Sequence, residues 1–288
     1  VPTPDGRTLD VYRAGSARDE VLLFHDGTPG AGIVSNQFLA TVGEHDLQFV
    51  AFSRAGYGGS TRRPGRSVAD VADDVGTVLD HIGATQCYEI GFSGGGPHCL
   101  ATAALMPERV KAGAVVGSVA PFGAVGLEYL AGMGAENIEE FGAALAGSET
   151  LQAFLDGWLP SFVTVSGEQI ADALGDLVPP VDRAALTGDF AESVAADIRQ
   201  GLSGGIWGWH DDDLAFVRPW GFDLTTLRVP FALWQGEEDR MVPFAHGAWL
   251  AHHVPGVRAH LLPDHGHLSL AVASLGWILD DLLSSTSH

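Results

Sequence analysis

The chain of 288 residues is short of positive charge: 15 lysines and arginines stand against 36 aspartates and glutamates, a formal charge of −21. Lys111 is the single lysine. A surface with that balance repels nucleic acid and anionic membranes, so neither is an expected partner. Cysteine is nearly absent too. Cys87 and Cys99 stand in apolar segments and read as buried free thiols. They form no metal-binding motif, and they fit a reducing cytoplasm better than an oxidising compartment. No apolar run reaches the ~18 residues that a membrane-crossing helix needs. The first residues, Val1-Pro2-Thr3-Pro4-Asp5-Gly6-Arg7, are polar and turn-rich and lack the pattern of a signal peptide.

What the chain does have is glycine, 38 residues of it, within an ordinary globular composition that is 46% hydrophobic. Runs at 21–24, 47–52, 87–90, 109–116, 229–234 and 257–262 read as strands, the first two of them as buried strands of a sheet covered on both faces. Between them, 38–42, 68–82, 244–253 and 268–283 read as helices. Val68, Val71, Val75, Val78, Leu79 and Ile82 recur there at helical spacing with aspartates between them. Strands alternating with helices imply right-handed crossovers and a mostly parallel sheet. Residues 1–20 read as a hairpin about Asp5-Gly6, with a strand at 8–13. From about Pro121 to about Asp213 the rhythm changes to a mostly helical insertion carrying Trp158, Phe162, Trp207 and Trp209. The expected division is an α/β core of 1–120 and 214–288 with a helical cap of 121–213. Trp and Phe residues of the cap either fill its core or line a substrate pocket.

Chemistry gathers in the loops after these strands. Gly91-Phe92-Ser93-Gly94-Gly95 lies between a strand and a helix, a sharp turn that lifts a serine hydroxyl above the sheet. Ser93 is the candidate nucleophile. A serine hydroxyl needs a base, and the base needs an orienting acid. Asp239 stands in the loop after the 229–234 strand, with Glu237 and Glu238 as rivals, and His265 and His267 stand in the loop after the 257–262 strand. Asp239 is preferred for its short, stiff carboxylate, and His267 because it directly precedes the last helix. The order Ser93, Asp239, His267 suits a triad on such a sheet. The developing oxyanion needs two donors. The N–H of Gly94 is one candidate; Thr28, in the loop after the first buried strand, is preferred as the other, with Gly27 as the next choice. His25 is expected to order that loop by hydrogen bonding. The remaining histidines are expected in loops or on the surface, and no histidine–carboxylate spacing suggests a metal site.

These residues resemble the α/β-hydrolase superfamily over nearly the whole chain. The carriers are His25-Asp26-Gly27-Thr28-Pro29-Gly30, Arg54-Ala55-Gly56-Tyr57-Gly58-Gly59-Ser60, the Gly91–Gly95 elbow, the Gly236, Asp239, Val242-Pro243 loop, and Gly266-His267. The resemblance implies an eight-stranded, mostly parallel sheet with a helical cap inserted after the sixth strand, a Ser-His-Asp triad and no cofactor. Asp26 departs from the family's usual glycine. Ser93 argues against the dehalogenase and epoxide hydrolase members, which use Asp. The Gly-Thr-Pro-Gly loop is similar to that of proline iminopeptidase-like members, but Gly94 stands where those carry Trp. The expected function is a serine hydrolase acting on a small ester or amide. The alternatives are an aminopeptidase of the iminopeptidase type, with Glu136, Glu139 or Glu140 holding the substrate ammonium, and a non-catalytic binding protein that keeps the fold.

Overall fold

The computed structural model describes residues 1–15 and 20–286. Its sheet has seven strands among the described residues: β1 Val11–Ala14, β2 Val21–His25, β3 Gln48–Phe52, β4 Cys87–Phe92, β5 Val110–Val116, β6 Phe231–Gly236 and β7 Arg258–Leu262. Their order is β1-β3-β2-β4-β5-β6-β7. β1 runs antiparallel to β3, and every other pairing is parallel.

The eight strands implied by the resemblance are therefore corrected to seven. The N-terminal stretch makes only an isolated antiparallel bridge, Pro2 to Thr8. Pro2 and Pro4 have no N–H to give a ladder, and the chain turns at once through Asp5-Gly6. The expected strand at 8–13 is shorter and shifted to β1, and part of the expected hairpin, 16–19, lies outside the described residues. The helical insertion accordingly follows the fifth strand rather than the sixth.

The apolar runs at 21–24 and 47–52 became inner strands because both of their faces are covered. In β2, Val21 and Leu23 join one core while Leu22 and Phe24 join the other; in β3, Val50 and Phe52 split the same way from Phe49 and Ala51. Fully burying one such leucine is worth about 1.5–3 kcal/mol, so a one-residue slip of register would forfeit much of the core. Helices pack on both faces. α1 Asn36–Glu44 starts at Ser35, whose hydroxyl accepts from the Phe38 N–H at 3.1 Å. α2 Val71–Ile82 buries Val71, Val75, Val78 and Leu79 and stops at Gly83, in the left-handed region at φ 74°. α3 Gly95–Leu105 is buried from Gly95 to Ala103, and its Pro97 lies in the first turn, where a missing N–H costs nothing.

Between β5 and β6 the described residues hold no strand. The chain runs through α4 Ala135–Ala146, α5 Ser148–Phe162, α6 Ile170–Ala173, α7 Pro180–Ala185, α8 Gly188–Gly201 and α9 Trp207–Phe216. A separate apolar cluster, with Leu151, Leu155, Ile170, Ala195 and Trp209, holds these helices together. The boundary drawn at 213/214 falls inside α9. The last helices are α10 Phe244–His253 and α11 His267–Ser284. No helix among the described residues is long and apolar enough to cross a membrane.

Candidate active site

Ser93 sits at the tip of β4, directly before α3, with φ of 53°, one of three described non-glycine residues at positive φ. The turn is sharp enough that its flanking glycines cannot be replaced freely. A Cβ on Gly91 would meet the Cβ of Cys99 at 2.6 Å, and one on Gly95 would run into the His25 carbonyl. The Ser93 N–H donates to the Val116 carbonyl at 2.9 Å, which ties the elbow to β5.

Asp239 follows β6 and is 3% exposed, whereas its rivals Glu237 and Glu238 are exposed. Its Oδ1 accepts from the N–H groups of Met241 at 2.9 Å and Val242 at 2.7 Å. Its Oδ2 accepts from Gln235 Nε2 at 3.1 Å and from His267 Nδ1 at 2.7 Å. A carboxylate only accepts, so the bond fixes the proton of a neutral His267 on Nδ1 and leaves the Nε2 lone pair free. Nε2 is buried without a hydrogen-bond partner. Burial disfavours the imidazolium, but the Asp239 charge and hydrogen bond more than offset it, so the His267 pKa lies above the ordinary histidine value. His265, the rival base, turns its Nδ1 to the Pro263 carbonyl at 2.7 Å instead.

Ser93 lies on the wall of two cavities. One, of about 160 Å³, is also lined by His267, Phe24, Phe38, Phe92, Phe190 and Ile278 and is apolar. The other, of about 110 Å³, is lined by Thr28, Gly94, Phe154, Trp158, Phe162, Trp209 and Phe216, with Glu136, Glu140 and Asp213. Thr28 and Gly94 are brought side by side: a Cβ on Gly94 would meet the Thr28 side chain. Trp158, Phe162 and Trp209 thus face the cavity. Trp207 does not line it; the Arg62 guanidinium stacks 3.9 Å from the Trp207 ring centre. Glu139 is exposed and lines neither cavity.

Asp26 explains itself here. Its Oδ1 accepts from Gly27 N–H and its Oδ2 from Gly32 N–H, both at 2.7 Å. The Asp197 carboxyl of α8 accepts from Ala31 N–H at 3.0 Å and Ile33 N–H at 2.7 Å. Burial and the Asp26 charge push the Asp197 pKa well above the usual carboxylate range. The loop is therefore ordered by Asp26. The expected role of His25 is corrected, since both of its ring nitrogens are buried without hydrogen-bond partners. His98, His210 and His246 are buried rather than superficial. Beneath the loop, donor atoms of His25, Glu89 and Cys99 lie within 4.8 Å of one another, the one set among the described residues that could hold a metal ion. They line neither cavity. Cys87 and Cys99 are free and buried.

Several site residues escaped the sequence reading. Asp212 of α9 accepts from Arg54 at 2.6 Å, Arg66 at 2.6 Å, His98 at 3.1 Å, Tyr57 at 2.9 Å and the Thr28 hydroxyl at 2.9 Å. Arg54 also donates to the Gly27 carbonyl at 2.9 Å, so the pair clamps the Thr28 loop. Asp213 is 1% exposed, and one of its oxygens has no hydrogen-bond partner. Burial and then the nearby Glu140 raise its pKa well above the carboxylate range. Burial raises that of Glu140, whose Oε1 accepts from Trp209 Nε1 at 2.7 Å. The run Asp211-Asp212-Asp213 was the only signal for these acids, and it looks like a solvated patch.

The sheet, the strained serine turn and the buried acid–histidine pair after successive strand ends define a class, the doubly wound α/β proteins with functional loops at the carboxyl edge of the sheet. The profile of the α/β-hydrolase fold matches residues 20–273, and the chain belongs to that family. Similar solved structures include a hydrolase from Pseudomonas aeruginosa PA01, at 19% identity and TM-score 0.68 over 100% of this chain and 97% of that one. The esterase RhEst1 from Rhodococcus sp. ECU1013 is 20% identical, with TM-score 0.69 over 98% and 97%. A bromoperoxidase from Bacillus anthracis is 19% identical, with TM-score 0.67 over 98% and 96%. At these identities the likeness is one of fold. No curated protein matches the chain.

Proposed function

We propose that the protein is a serine hydrolase of small esters or amides, with Ser93 as nucleophile, His267 as base and Asp239 as its orienting acid. The observation that carries this is the Asp239–His267 hydrogen bond at 2.7 Å, which leaves Nε2 unpaired on the cavity wall it shares with Ser93. His267 Nε2 takes the Ser93 proton as the hydroxyl attacks the carbonyl carbon, then gives it to the leaving oxygen or nitrogen. The N–H groups of Gly94 and Thr28 receive the oxyanion. Water, deprotonated by the same imidazole, attacks the acyl-enzyme and returns Ser93 to its free state. No cofactor enters these steps. Residues 121–213 act as the cap, since its aromatic side chains line a cavity at Ser93. The substrate is a small molecule met in the cytoplasm. Esterases among the similar folds, RhEst1 included, support the ester side of this reading.

Release of an amino-terminal residue is a second reading, favoured by one observation: Glu136, Glu140 and Asp213 line the cavity that holds Ser93, Thr28 and Gly94. A buried acid, Asp213, with two half-buried glutamates beside it suits a substrate ammonium group. One assay series separates the readings. Wild type and Ser93→Ala are tested against an activated ester, an aminoacyl amide and its N-acetyl derivative, alongside labelling by a fluorophosphonate. Loss of ester turnover and labelling in a folded Ser93→Ala supports the mechanism. A strong preference for the free amine supports the second reading. Full activity in the variant, or an unlabelled wild type, would return the fold to the role of a binding protein.

A further inference from the structure

His267 is the first residue of α11, a helix of 18 residues. That position is awkward for a base. The N-terminus of a helix carries roughly half a positive charge, which opposes the imidazolium the reaction must form. Asp182, on α7 in the helical insertion, sits against this end. Its Oδ2 accepts from the His267 N–H at 2.8 Å. Its Oδ1 accepts from the Ser269 N–H and from the Ser269 hydroxyl, each at 2.7 Å. Asp182 is 0% exposed, and no lysine or arginine bridges it among the described residues. Gly266 leaves the room, since a Cβ there would lie 2.5 Å from the carboxyl.

We propose that Asp182 is a positioning residue for His267, a carboxylate carried by the helical insertion that cancels the positive end of α11 and holds the imidazole where Ser93 can use it. The proposal rests on the role of His267 given above. Among the described residues two charged groups act on the imidazole. Asp239, from the loop after β6, holds Nδ1, and Asp182, from α7, holds the backbone N–H. Both favour the imidazolium against the cost of burial. The Phe92 ring, 4.8 Å from the imidazole centre, and Gly117, where a Cβ would lie 2.8 Å from Nδ1, pack on it without charge. A consequence is that the base is complete only with α7 seated, so the insertion and the histidine act as one unit.

The test is a proton NMR titration of His267, assigned by the signal that His267→Gln loses, in wild type and Asp182→Asn. This readout needs no turnover, so it stands or falls apart from the hydrolase reading. Asparagine keeps an acceptor oxygen and removes the charge. The midpoint is expected to move down by about half a pH unit or more in Asp182→Asn. The acid limb of kcat/KM is expected to move down with it, and Asp182→Glu to restore both. A midpoint that stays in place while thermal stability falls would make Asp182 a structural cap only and overturn the proposal. Should Asp182→Asn not fold, Asp182→Thr, which keeps a short acceptor without the charge, takes its place in the titration, and the same two outcomes support or overturn the proposal.

Discussion

Ser93 shows how much the site asks of one residue. At φ 53° it lies in the left-handed region, which costs a non-glycine residue on the order of 1–3 kcal/mol. The turn endures because β4, β5 and α3 over-determine it: the Ser93 N–H is bound by Val116 and its carbonyl by Gly96 N–H, both at 2.9 Å. Glycine meets no penalty at that backbone conformation, though it loses more entropy on folding. Ser93→Gly is therefore expected to raise stability by about 1 kcal/mol while ending all labelling by a fluorophosphonate. Urea denaturation reads the first effect. A midpoint at or below that of the wild type would show that the elbow stores no strain at this residue.

At the scale of elements, the Asp212 cluster ties α9 to the core of the fold. It joins the loop after β3, through Arg54 and Tyr57, to α3, through His98, and to the Thr28 loop. Burial works against the Asp212 carboxylate, yet Arg54 and Arg66 hold its pKa well below the usual range. A depressed carboxylate contributes stability above its unfolded value, about 3.9, and loses it only as pH falls through the folded one. The cluster is thus intact at neutral and mildly acid pH. Asp212→Asn leaves two buried guanidinium groups without a counter-charge, so a loss of about 3–5 kcal/mol is expected in urea denaturation at pH 7. The loss is expected to shrink only as pH falls from about 4 toward the lower value at which the folded Asp212 protonates. An equal loss at every pH would mean that the charge of Asp212 is not what holds α9.

The elements that were legible in the sequence are those with one period and one environment. The β2 and β3 runs are apolar throughout because both faces are covered, and α2 is amphipathic because one face is wet. Ser93, Asp239 and His267 could be singled out because each stands at a strand end. α9 was not readable in this way. It is buried from Gly208 to Phe216, so no polar face marks it as a helix, and its three consecutive aspartates look like solvated charge. Asp182 and Asp197 escaped for a related reason. Their partners are backbone N–H groups of α11 and of the Thr28 loop, and no residue type along the chain announces such a partner. The missing strand has a cause in the sequence that the resemblance overrode, the prolines at 2 and 4.

For the whole molecule, charge sets the balance. The formal charge is −21, and several of the few cations are turned inward: Arg7, Arg54 and Arg66 are buried against Asp74 and Asp212. These pairs cancel locally and are little screened by salt, because ions do not reach them. What remains outside is mostly acidic, and its self-repulsion favours the expanded chain. Raising NaCl from about 10 mM to about 150 mM shortens the screening length from roughly 30 to 8 Å. The thermal midpoint is therefore expected to rise by a few degrees, the shift that about 1 kcal/mol makes in a chain of this size. Choline chloride should act equally, since screening depends on ionic strength and not on the cation. A fall in the midpoint would show that exposed ion pairs such as Arg258–Asp281 outweigh the repulsion, and a rise with sodium alone would point to bound cation rather than screening.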